Sequence, residues 1–273
     1  MKQFDPVLHR ELTAMLRNGG IDDAGLEAKW ILEDAASGFD AREIAARRAK
    51  HEPLQYLLGK WEFYGLPFCV GPGVLIPRPD TETLVDAVLS RIPDRDGQQI
   101  LDLCTGSGCI ALSLAAHLPQ SRITGLEISP AALQYAQRSQ QTLGLNNAQL
   151  CEADVLSAET AAQYHGLAAV VSNPPYLTAA DMQQLQQEVA YEPSAALDGG
   201  ADGLHFYREI TRLWRGTLRA GGLLAFEVGI YQADDVAAIL EQNGFAGIER
   251  IRDLGGIERV IAGRRNHTPD MQC

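Results

Sequence analysis

The chain has 273 residues, and its 35 acidic and 23 basic side chains give a formal net charge of −12. Hydrophobic residues make up 46% and charged residues 21%, a globular composition that excludes disorder as the main state. The acidic balance argues against a protein that coats DNA or RNA, because such affinity comes mainly from phosphate neutralisation. No apolar run in the sequence approaches the roughly 20 residues that a bilayer-spanning helix needs.

The cysteines and the first ten residues indicate a cytoplasmic protein. An odd number of cysteines without an export signal predicts free thiols in a reducing compartment. Residues 1–10 mix charge with Pro6 and lack the apolar segment of a signal peptide. The histidines and cysteines show no metal-ligand spacing, so we expect no metal. The cysteines, which form no Cys-x-x-Cys pair, are Cys69, Cys104, Cys109, Cys151 and Cys273.

Residues 1–60 are predicted to form a small helical domain. Apolar side chains recur at helical spacing over residues 4–16, and Gly19-Gly20 ends that run. Further helices are predicted over residues 26–32, near Ile44, and after Pro53 through Leu58. Each stripe is apolar on one side only, so these helices are expected to pack on one another.

Residues 61–76 are predicted to be a hairpin linker. Two short strand-like segments flank Gly65, and Pro67 favours an edge strand. Apolar residues at helical spacing over residues 84–89 then predict a helix, and Asp80 is predicted to be its N-cap.

From residue 99 the sequence alternates between strands and helices, which predicts a doubly wound α/β fold over residues 77–265. Helices are expected around 109–117, 130–143, 204–218 and 232–243. The last two strands are joined through Gly255-Gly256, too short for a helix, and are expected to form an antiparallel hairpin. Residues 266–273 are predicted to be a flexible tail. The predicted strands are Ile100–Leu103, Ile123–Ile128, Ala148–Cys151, Ala169–Ser172, Leu223–Val228, Ile248–Arg252 and Arg259–Ala262.

A glycine loop follows the first strand of this domain and opens a helix. Gly106 and Gly108 let backbone approach a ligand, and the helix N-terminus supplies free N–H groups. The spacing Gly106-x-Gly108-x-x-Ala111 matches the dinucleotide fingerprint, and Glu127 ends the next strand, where an acid takes ribose hydroxyls. The loop therefore predicts a nucleoside-containing ligand. Asp102, just before the glycines, suits a cationic ligand better than a pyrophosphate.

Asp154 is a third acid at the carboxyl end of a strand, along the edge where open α/β sheets bind ligands. Its carboxylate accepts from an adenine amino group in one interpretation, and caps the following helix in the other. Cys104 and Cys109 are interpreted as packing residues, because no base accompanies either thiol in the sequence.

Asn173-Pro174-Pro175-Tyr176 follows the fourth strand of the domain. The two prolines fix the backbone and remove two donors, so the turn is rich in acceptors. A planar –NH2 group fits between the Asn173 side-chain oxygen and the carbonyl of Pro174, while Tyr176 stacks on it. Holding both hydrogens aims the nitrogen lone pair at an electrophile, a task that depends on positioning more than on a strong base.

Together the two motifs resemble the class I methyltransferases that use S-adenosylmethionine. These have a Rossmann-like fold, a seven-stranded sheet that ends in an antiparallel hairpin. Over nearly its whole length the chain resembles, within that class, the HemK/PrmC family of protein-glutamine methyltransferases. In residues 77–82 the form Pro-Arg-Pro-Asp-Thr-Glu is similar to the branch that acts on peptide chain release factors. The other segments that carry the resemblance are Glu52–Tyr56 with Gly59, Leu75–Glu82, Leu197–Leu204, Phe206–Arg208 and Asp253–Val260.

The resemblance implies a role for each matching residue. The loop wraps the methionine portion of the cofactor, Glu127 holds the ribose hydroxyls, and Asp154 with Val155 lies beside the adenine. Asn173, Pro174 and Tyr176 are the implied catalytic residues, and Pro175 joins them in holding the target amide. The implied cofactor-binding residues are Asp102, Cys104, Thr105, Gly106, Ser107, Gly108, Glu127, Asp154, Val155 and Asn173.

Two positions depart from the family pattern, since Cys104 replaces the usual first glycine and Glu127 replaces a frequent aspartate. A cysteine is small enough for the loop, and a glutamate reaches the same diol. Arg78 and Glu82 either border the cofactor or form a surface ion pair.

Residues 177–203 form a long, irregular segment, which predicts a lid over the substrate with a short helix over 183–188. Deletion of this segment is expected to lower turnover.

The resemblance implies methyl transfer from S-adenosylmethionine to a glutamine side-chain amide in the Gly-Gly-Gln motif of class 1 release factors. The product of the cofactor is S-adenosylhomocysteine. We expect a cytoplasmic monomer that binds neither nucleic acid nor membrane and is drawn to a basic, flexible loop of its partner. The helical domain is expected to help dock that partner.

Four alternatives remain open from the sequence. One is a protein-glutamine methyltransferase that acts on a ribosomal protein. Another is a nucleic-acid adenine methyltransferase, for which residues 42–50 supply either a basic patch or a solvated helix face. A third is an NAD-dependent oxidoreductase, which gives the Asn-Pro-Pro-Tyr turn no role. The last is a non-catalytic nucleoside-binding adaptor, whose function survives Asn173→Ala.

Overall fold

The structure, a computed structural model, describes residues 4–92, 94 and 96–266. It contains helices at the N-terminus, a two-stranded hairpin, and a seven-stranded sheet with helices on both faces. Apart from residue 266, the tail predicted to be flexible lies outside the described residues. The division into domains at residues 60, 76 and 265 stays a prediction.

The N-terminal helices form where the apolar periodicity predicts them. Asp5 begins α1, because its carboxylate accepts from the backbone N–H groups of Val7 at 2.9 Å and Leu8 at 3.1 Å. Their apolar stripes meet in one core, which includes Leu12, Leu16 and Ile31 at full burial. The helices are α1 (Pro6–Asn18), α2 (Ala24–Asp34), α3 (Gly38–Arg48) and α4 (Leu54–Leu58).

The predicted hairpin is confirmed as β1 (Lys60–Phe63) and β2 (Leu66–Cys69), an antiparallel pair. Its two turn residues, Tyr64 and Gly65, both have positive φ, at 53° and 69°. A two-residue turn with positive φ at both positions matches the right-handed twist of the strands. The hairpin is tied to the main body through the N–H of Cys69, which donates to Ser139 Oγ at 2.8 Å.

The large sheet has the strand order β5-β4-β3-β6-β7-β9-β8. Strands β3 to β7 run parallel, while β9 is antiparallel to both β7 and β8. The doubly wound sheet with a C-terminal antiparallel hairpin is therefore confirmed. The strands are β3 (Gln99–Leu103), β4 (Arg122–Glu127), β5 (Ala148–Glu152), β6 (Leu167–Ser172), β7 (Leu218–Glu227), β8 (Phe245–Arg252) and β9 (Glu258–Arg265).

Helices cover both faces of this sheet, so its central strands are apolar on both sides and β6 is buried at every position. One face packs against α5 and α6, and the other against α8, α9 and α10. These helices, with α7 beside the hairpin, are α5 (Glu82–Arg91), α6 (Cys109–His117), α7 (Pro130–Leu143), α8 (Ala158–Ala161), α9 (His205–Trp214) and α10 (Ala233–Gln242).

Two local predictions are wrong. Asp80 is not the N-cap of α5, because Pro79–Thr81 forms a 3-10 turn and the Asp80 carboxylate instead approaches Arg259 at 3.3 Å. Residues 183–188 do not form a helix. Two separate 3-10 turns, Asp181–Gln183 and Val189–Tyr191, flank an irregular stretch in which Glu188 forms an ion pair with Arg48.

The strand order reverses between β3 and β6, since β4 and β5 continue on one side and β7 on the other. Open α/β sheets bind ligands in the crevice at such a point, beyond the carboxyl ends of the strands. Leu103 and Ser172 are the last paired residues of the two strands, and the Ser172 hydroxyl donates to the Leu103 carbonyl at 2.7 Å. The next residues, Cys104 and Asn173, therefore enter the crevice side by side.

Candidate active site

A first cavity of about 400 Å³ lies beyond the carboxyl ends of β3, β4 and β5. Its walls come from the loops that follow these strands and from the linker before α5. Nine of the residues predicted from the sequence line this cavity. They are Cys104, Thr105, Gly106, Ser107, Glu127, Asp154, Val155, Asn173 and Pro175.

The glycine loop takes a left-handed backbone at three positions, with φ of 59° at Cys104, 56° at Gly106 and 78° at Gly108. A Cβ placed on Gly106 meets no atom within 4 Å, so this residue borders open space. The loop thus offers backbone to a ligand at a point where any side chain would intrude. Cys104 adopts this conformation although it is not a glycine.

Glu127 is held at the cavity wall by two backbone donors. Its carboxylate accepts from the N–H of Gly106 and from the N–H of Ser129, each at 2.8 Å. The side chain is 8% exposed. Each carboxylate oxygen has a second lone pair, so both oxygens can still accept from the hydroxyls of a ligand.

Asp102 is fully buried and lies beneath the loop rather than in the lining of the cavity. One of its oxygens accepts from the Thr105 hydroxyl and, at 3.1 Å, from the N–H of Ala111, while the other has no partner. Burial raises the pKa of Asp102 to about 7, against the lowering effect of these two hydrogen bonds. Asp102 therefore braces the loop on α6. Gly108 and Pro174 also lie outside the cavity linings.

Asp154 lines the cavity, and the capping interpretation of this residue is wrong. Ser157 caps α8 through its hydroxyl, which accepts from the N–H of Thr160. The Asp154 carboxylate accepts from the N–H of Leu156 at 2.8 Å, a bond that fixes the loop itself. The exposed side chain of Ile128 lines the same cavity and adds apolar surface suited to a flat ring.

The two cysteines at the loop behave as packing residues. Burial raises the pKa of Cys104, and it raises the pKa of Cys109 to about 12. Both thiols are therefore protonated at neutral pH, which keeps them poor nucleophiles.

A second cavity of about 570 Å³ adjoins the first, and Asn173 lines both. It is assembled from four parts of the chain that are distant in sequence. Pro53 and Gln55 come from the helical region, Arg78 from the segment just before α5, and Tyr176 from the turn after β6. The remaining wall comes from residues 177–197 and from Glu227 at the end of β7.

The Asn-Pro-Pro-Tyr turn is held rigidly between the cavities. The carbonyl of Tyr176 accepts from Gln232 Nε2 at 3.0 Å, and a Cβ on Gly199 would lie 2.7 Å from the Tyr176 Cα. Burial raises the pKa of Tyr176 to about 12, so its phenol is neutral at physiological pH. The turn can therefore present Asn173 and a neutral aromatic ring at a fixed place.

Three buried residues of this site are missing from the sequence-based prediction. Thr81 Oγ1 accepts from Asn173 Nδ2 at 3.3 Å, and Glu227 takes hydrogen bonds from both side chains. Glu192 accepts from the N–H of Ile76 at 2.9 Å and forms a short ion pair with Arg78. The one signal for Glu227 is its charge directly after the apolar run of residues 223–226 in β7.

Comparison with known proteins identifies the family. Residues 78–201 match the family described as the methyltransferase small domain. The release factor glutamine methyltransferase of Geobacter sulfurreducens is 42% identical over 269 residues, which cover 91% of this chain and 92% of that protein. That of Moorella thermoacetica is 40% identical over 93% of this chain and 96% of its own length. The chain belongs to the release factor glutamine methyltransferase family.

Solved structures support the fold of this family member. The 16S rRNA N2 G1207 methyltransferase of Thermus thermophilus, solved with AdoMet and guanosine, superposes with a TM-score of 0.55. The match covers 76% of this chain and 50% of that chain at 20% identity, so it bears on the fold alone. Membership in a methyltransferase family sets aside the oxidoreductase and the non-catalytic adaptor.

Three of the basic residues that could form a patch in the helical region, Arg42, Arg47 and Arg48, form ion pairs within the chain. Arg42 pairs with Glu11 at 2.6 Å, and Arg47 pairs with Glu52 at 2.5 Å. Arg48 is buried and contacts two carboxylates, those of Glu27 and Glu188. These charges are therefore largely neutralised within the chain.

The segment predicted to be a lid is tied to two neighbouring regions. Glu188 reaches Arg48 at 2.7 Å, and the Tyr191 hydroxyl donates to the Lys50 carbonyl at 3.4 Å. Glu192 holds the linker through Ile76 and Arg78. Arg78 thus lines both cavities with Glu192, not Glu82, as its partner, and closure of the segment over substrate stays a prediction.

Two kinds of feature, a membrane-spanning helix and a cluster of metal ligands, were sought in residues 4–92, 94 and 96–266. No helix among them is long and apolar enough to cross a membrane. Within the same residues, no group of three or more His, Cys, Asp or Glu side chains is arranged to hold a metal ion.

Proposed function

We propose that this chain transfers the methyl group of S-adenosylmethionine to the side-chain amide nitrogen of a glutamine in class 1 peptide chain release factors. The observation that carries the proposal is the position of Asn173, which lines both cavities. A group in the first cavity and a group in the second can meet only at such a shared wall. The names of the family members agree with this substrate.

The residues of the first cavity fit S-adenosylmethionine. Gly106 borders open space with its backbone exposed, which suits the methionine portion. The Glu127 oxygens keep free lone pairs for ribose hydroxyls, and Asp154 with Val155 faces the place for adenine. When bound, S-adenosylmethionine supplies an electrophilic methyl group on a positively charged sulfur, and S-adenosylhomocysteine is its product.

The second cavity is assigned to the target glutamine and the loop that carries it. An amide nitrogen is a weak nucleophile, because its lone pair is delocalised into the carbonyl. Asn173 Oδ1 and the Pro174 carbonyl would each accept one of its hydrogens, and Tyr176 would stack on the amide plane. Holding both hydrogens turns the lone pair toward the first cavity, and the nitrogen passes one proton to water as the new N–C bond forms.

The rest of the proposal concerns the partner and the setting. The net charge of −12 favours a basic, flexible loop as the bound segment. The wall formed by Pro53 and Gln55 gives the helical region a part in docking that loop. We expect the protein to work as a cytoplasmic monomer without a metal and without binding nucleic acid directly.

The test is incubation of the purified protein with methyl-labelled S-adenosylmethionine and a class 1 release factor, followed by mass mapping. The matched control is the same release factor with alanine in place of the Gly-Gly-Gln glutamine. We expect label on that glutamine in the natural factor and none in the control.

Two further substrates decide the alternatives. Label found only in added nucleic acid, or only in a ribosomal protein, contradicts the release factor assignment. Equal label in the natural factor and its alanine control assigns the reaction to another residue of the factor.

A further inference from the structure

Asn173 has a side-chain amide whose two ends differ in chemistry, so its direction matters. The oxygen accepts hydrogen bonds and the –NH2 group donates them. Only the oxygen can hold the –NH2 group of a target glutamine. A reversed amide would present two donors to that group and repel it.

Two buried side chains lie beside Asn173, and each also borders a cavity, Thr81 the first and Glu227 the second. Thr81 is 2% exposed, and its Oγ1 lies 3.3 Å from Asn173 Nδ2. Glu227 is also 2% exposed, lies at the end of β7, and takes hydrogen bonds from both Thr81 and Asn173. One of its oxygens, Oε2, has no partner.

A buried carboxylate needs a reason, because burial of a charge without compensation is costly. Burial raises the pKa of Glu227 to about 7, while the Thr81 hydrogen bond, Arg259 and the Asn173 hydrogen bond favour the ionised form. Asp80 acts in the opposite direction. The carboxylate is thus kept available as an acceptor by its neighbours, at an energetic cost that a neutral residue would avoid.

Above its pKa of about 7 the Glu227 carboxylate is ionised, and in that form it fixes the direction of the hydrogen bonds in this cluster. It has no hydrogen to donate, so the single hydroxyl hydrogen of Thr81 points to Glu227. The Thr81 oxygen then offers only lone pairs, and Asn173 must turn its –NH2 group toward both partners. Its oxygen is the one atom of the amide that remains for the cavities.

We propose that Glu227 and Thr81 are positioning residues that set the orientation of the Asn173 amide, so that its oxygen faces the target amide. The inference rests on the proposed function, because it assigns these residues to the same reaction. The role is assigned to both residues through their contacts with the Asn173 side chain. Their effect is on the rate of methyl transfer through Asn173.

The kinetic test compares Thr81→Val, Thr81→Ser and Glu227→Gln at a pH about one unit above the pKa of Glu227, where the carboxylate is ionised. Valine keeps the shape of threonine but removes the hydroxyl, and we expect kcat to fall about tenfold or more. Glutamine can donate as well as accept, so Glu227→Gln is expected to lower kcat similarly. Serine keeps the hydroxyl and should restore kcat.

The matched control is Thr211→Val. Thr211 is also fully buried in a helix, α9, but its hydroxyl has no hydrogen-bond partner in the described structure. This variant should keep the kcat of the unmodified protein. In all variants the Kd for S-adenosylmethionine should stay within about twofold, because a positioning role acts on turnover and not on cofactor affinity.

A second measurement needs neither substrate nor turnover. The side-chain –NH2 hydrogens of Asn173 are assigned by NMR through their loss in Asn173→Ser, and their exchange with solvent is measured. We expect slow exchange in the unmodified protein, Thr81→Ser and Thr211→Val. Exchange should be about tenfold faster in Thr81→Val and Glu227→Gln, as both lose a hydrogen-bond partner.

The outcomes separate the two proposals. If the unmodified protein methylates no release factor, the proposed function fails, while the exchange measurement still decides the orientation of Asn173. Unchanged exchange in both Thr81→Val and Glu227→Gln overturns the inference. The inference is also overturned if Thr81→Val and Glu227→Gln fold, transfer methyl groups, and have the same kcat as Thr211→Val.

Discussion

The two cavities meet at Asn173 but are built in different ways. The first is built around the loops that directly follow β3, β4 and β5, and other segments, including residues 73–81 and the turn after β6, complete its walls. The second draws on the helical region, the linker, residues 177–197 and the end of β7. A small cofactor can be held by local loops on one sheet edge, whereas a partner loop needs walls from several parts of the chain.

The carboxylates of the two cavities also differ in how far along the chain their compensating groups lie. In the first, Glu127 is compensated by backbone N–H groups, that of Ser129 two residues away and that of Gly106 21 residues away in the glycine loop. In the second, Glu192 is compensated by Arg78, and Glu188 by Arg48, across long sequence separations. The second cavity should therefore depend more on tertiary packing.

The largest effect is expected for Asn173→Ala. Turnover should fall by about 10²–10³, since one preorganised acceptor of the target amide is lost. The Kd for S-adenosylmethionine, measured by calorimetry, should change by less than about threefold. Asn243→Ala, at the end of α10, is the control and should leave both quantities unchanged. A large loss of cofactor affinity in Asn173→Ala would contradict the assignment of the first cavity to the cofactor and of the Asn173 oxygen to the target amide.

Glu192→Ala tests whether the second cavity depends on distant contacts. Its side chain is 1% exposed and accepts from the buried N–H of Ile76, so its loss should lower the free energy of unfolding by about 1–2 kcal/mol. The KM for the release factor should also rise. Glu209→Ala, which removes an exposed pair with Arg212, should change stability by less than about 0.5 kcal/mol. Equal melting curves for the two variants would contradict this prediction.

Gly106→Ala tests the first cavity alone. The new methyl group enters the cavity and the residue has φ of 56°, so cofactor affinity should fall about tenfold, or about 1.4 kcal/mol. Gly20→Ala, at φ of 80° with equally open space, carries the same backbone strain far from the site. Gly20→Ala should leave the Kd for S-adenosylmethionine unchanged. An equal loss of cofactor affinity in Gly20→Ala would mean that backbone strain, and not the methyl group in the cavity, causes the effect.

Asp102→Asn tests the role of Asp102 beneath the glycine loop through the pH dependence of the free energy of unfolding. The folded pKa of Asp102 is about 7 against an ordinary value of 3.8, so the folded state holds a proton that the unfolded state has lost. Its contribution to stability therefore falls as pH rises through that window, by about 1 kcal/mol between pH 6 and pH 7. Asparagine has no such dependence. Denaturation of both proteins at several pH values measures the difference, and parallel curves would count against a raised pKa.

Much of the first cavity could be predicted from the sequence because its motifs are local. Gly106, Glu127 and Asp154 each follow a strand whose apolar run is visible in the sequence. The prediction was less complete for Asp102, which supports the loop from below. Its burial depends on α6, and a sequence pattern does not show on which side of a loop a carboxylate lies.

The second cavity was largely hidden from sequence reasoning. Asn173 and Tyr176 were found, because two prolines after a strand are a strong local signal. Glu192 and Glu227 were not, since their partners lie 114 residues away in one case and on separate elements in the other. The helix expected over residues 183–188 does not form, and the ion pair of Glu188 with the distant Arg48 is a contact that local propensity does not predict.

The sequence by itself determined the elements, the parallel sheet and the two motifs at its carboxyl edge, because periodicity and turn chemistry act over a few residues. Only the tertiary structure decided that Leu103 and Ser172 are paired neighbours, which sets the glycine loop beside Asn173. It alone also decided which buried charges compensate one another. Such pairings depend on how the chain closes in space, a property that no short stretch of sequence encodes.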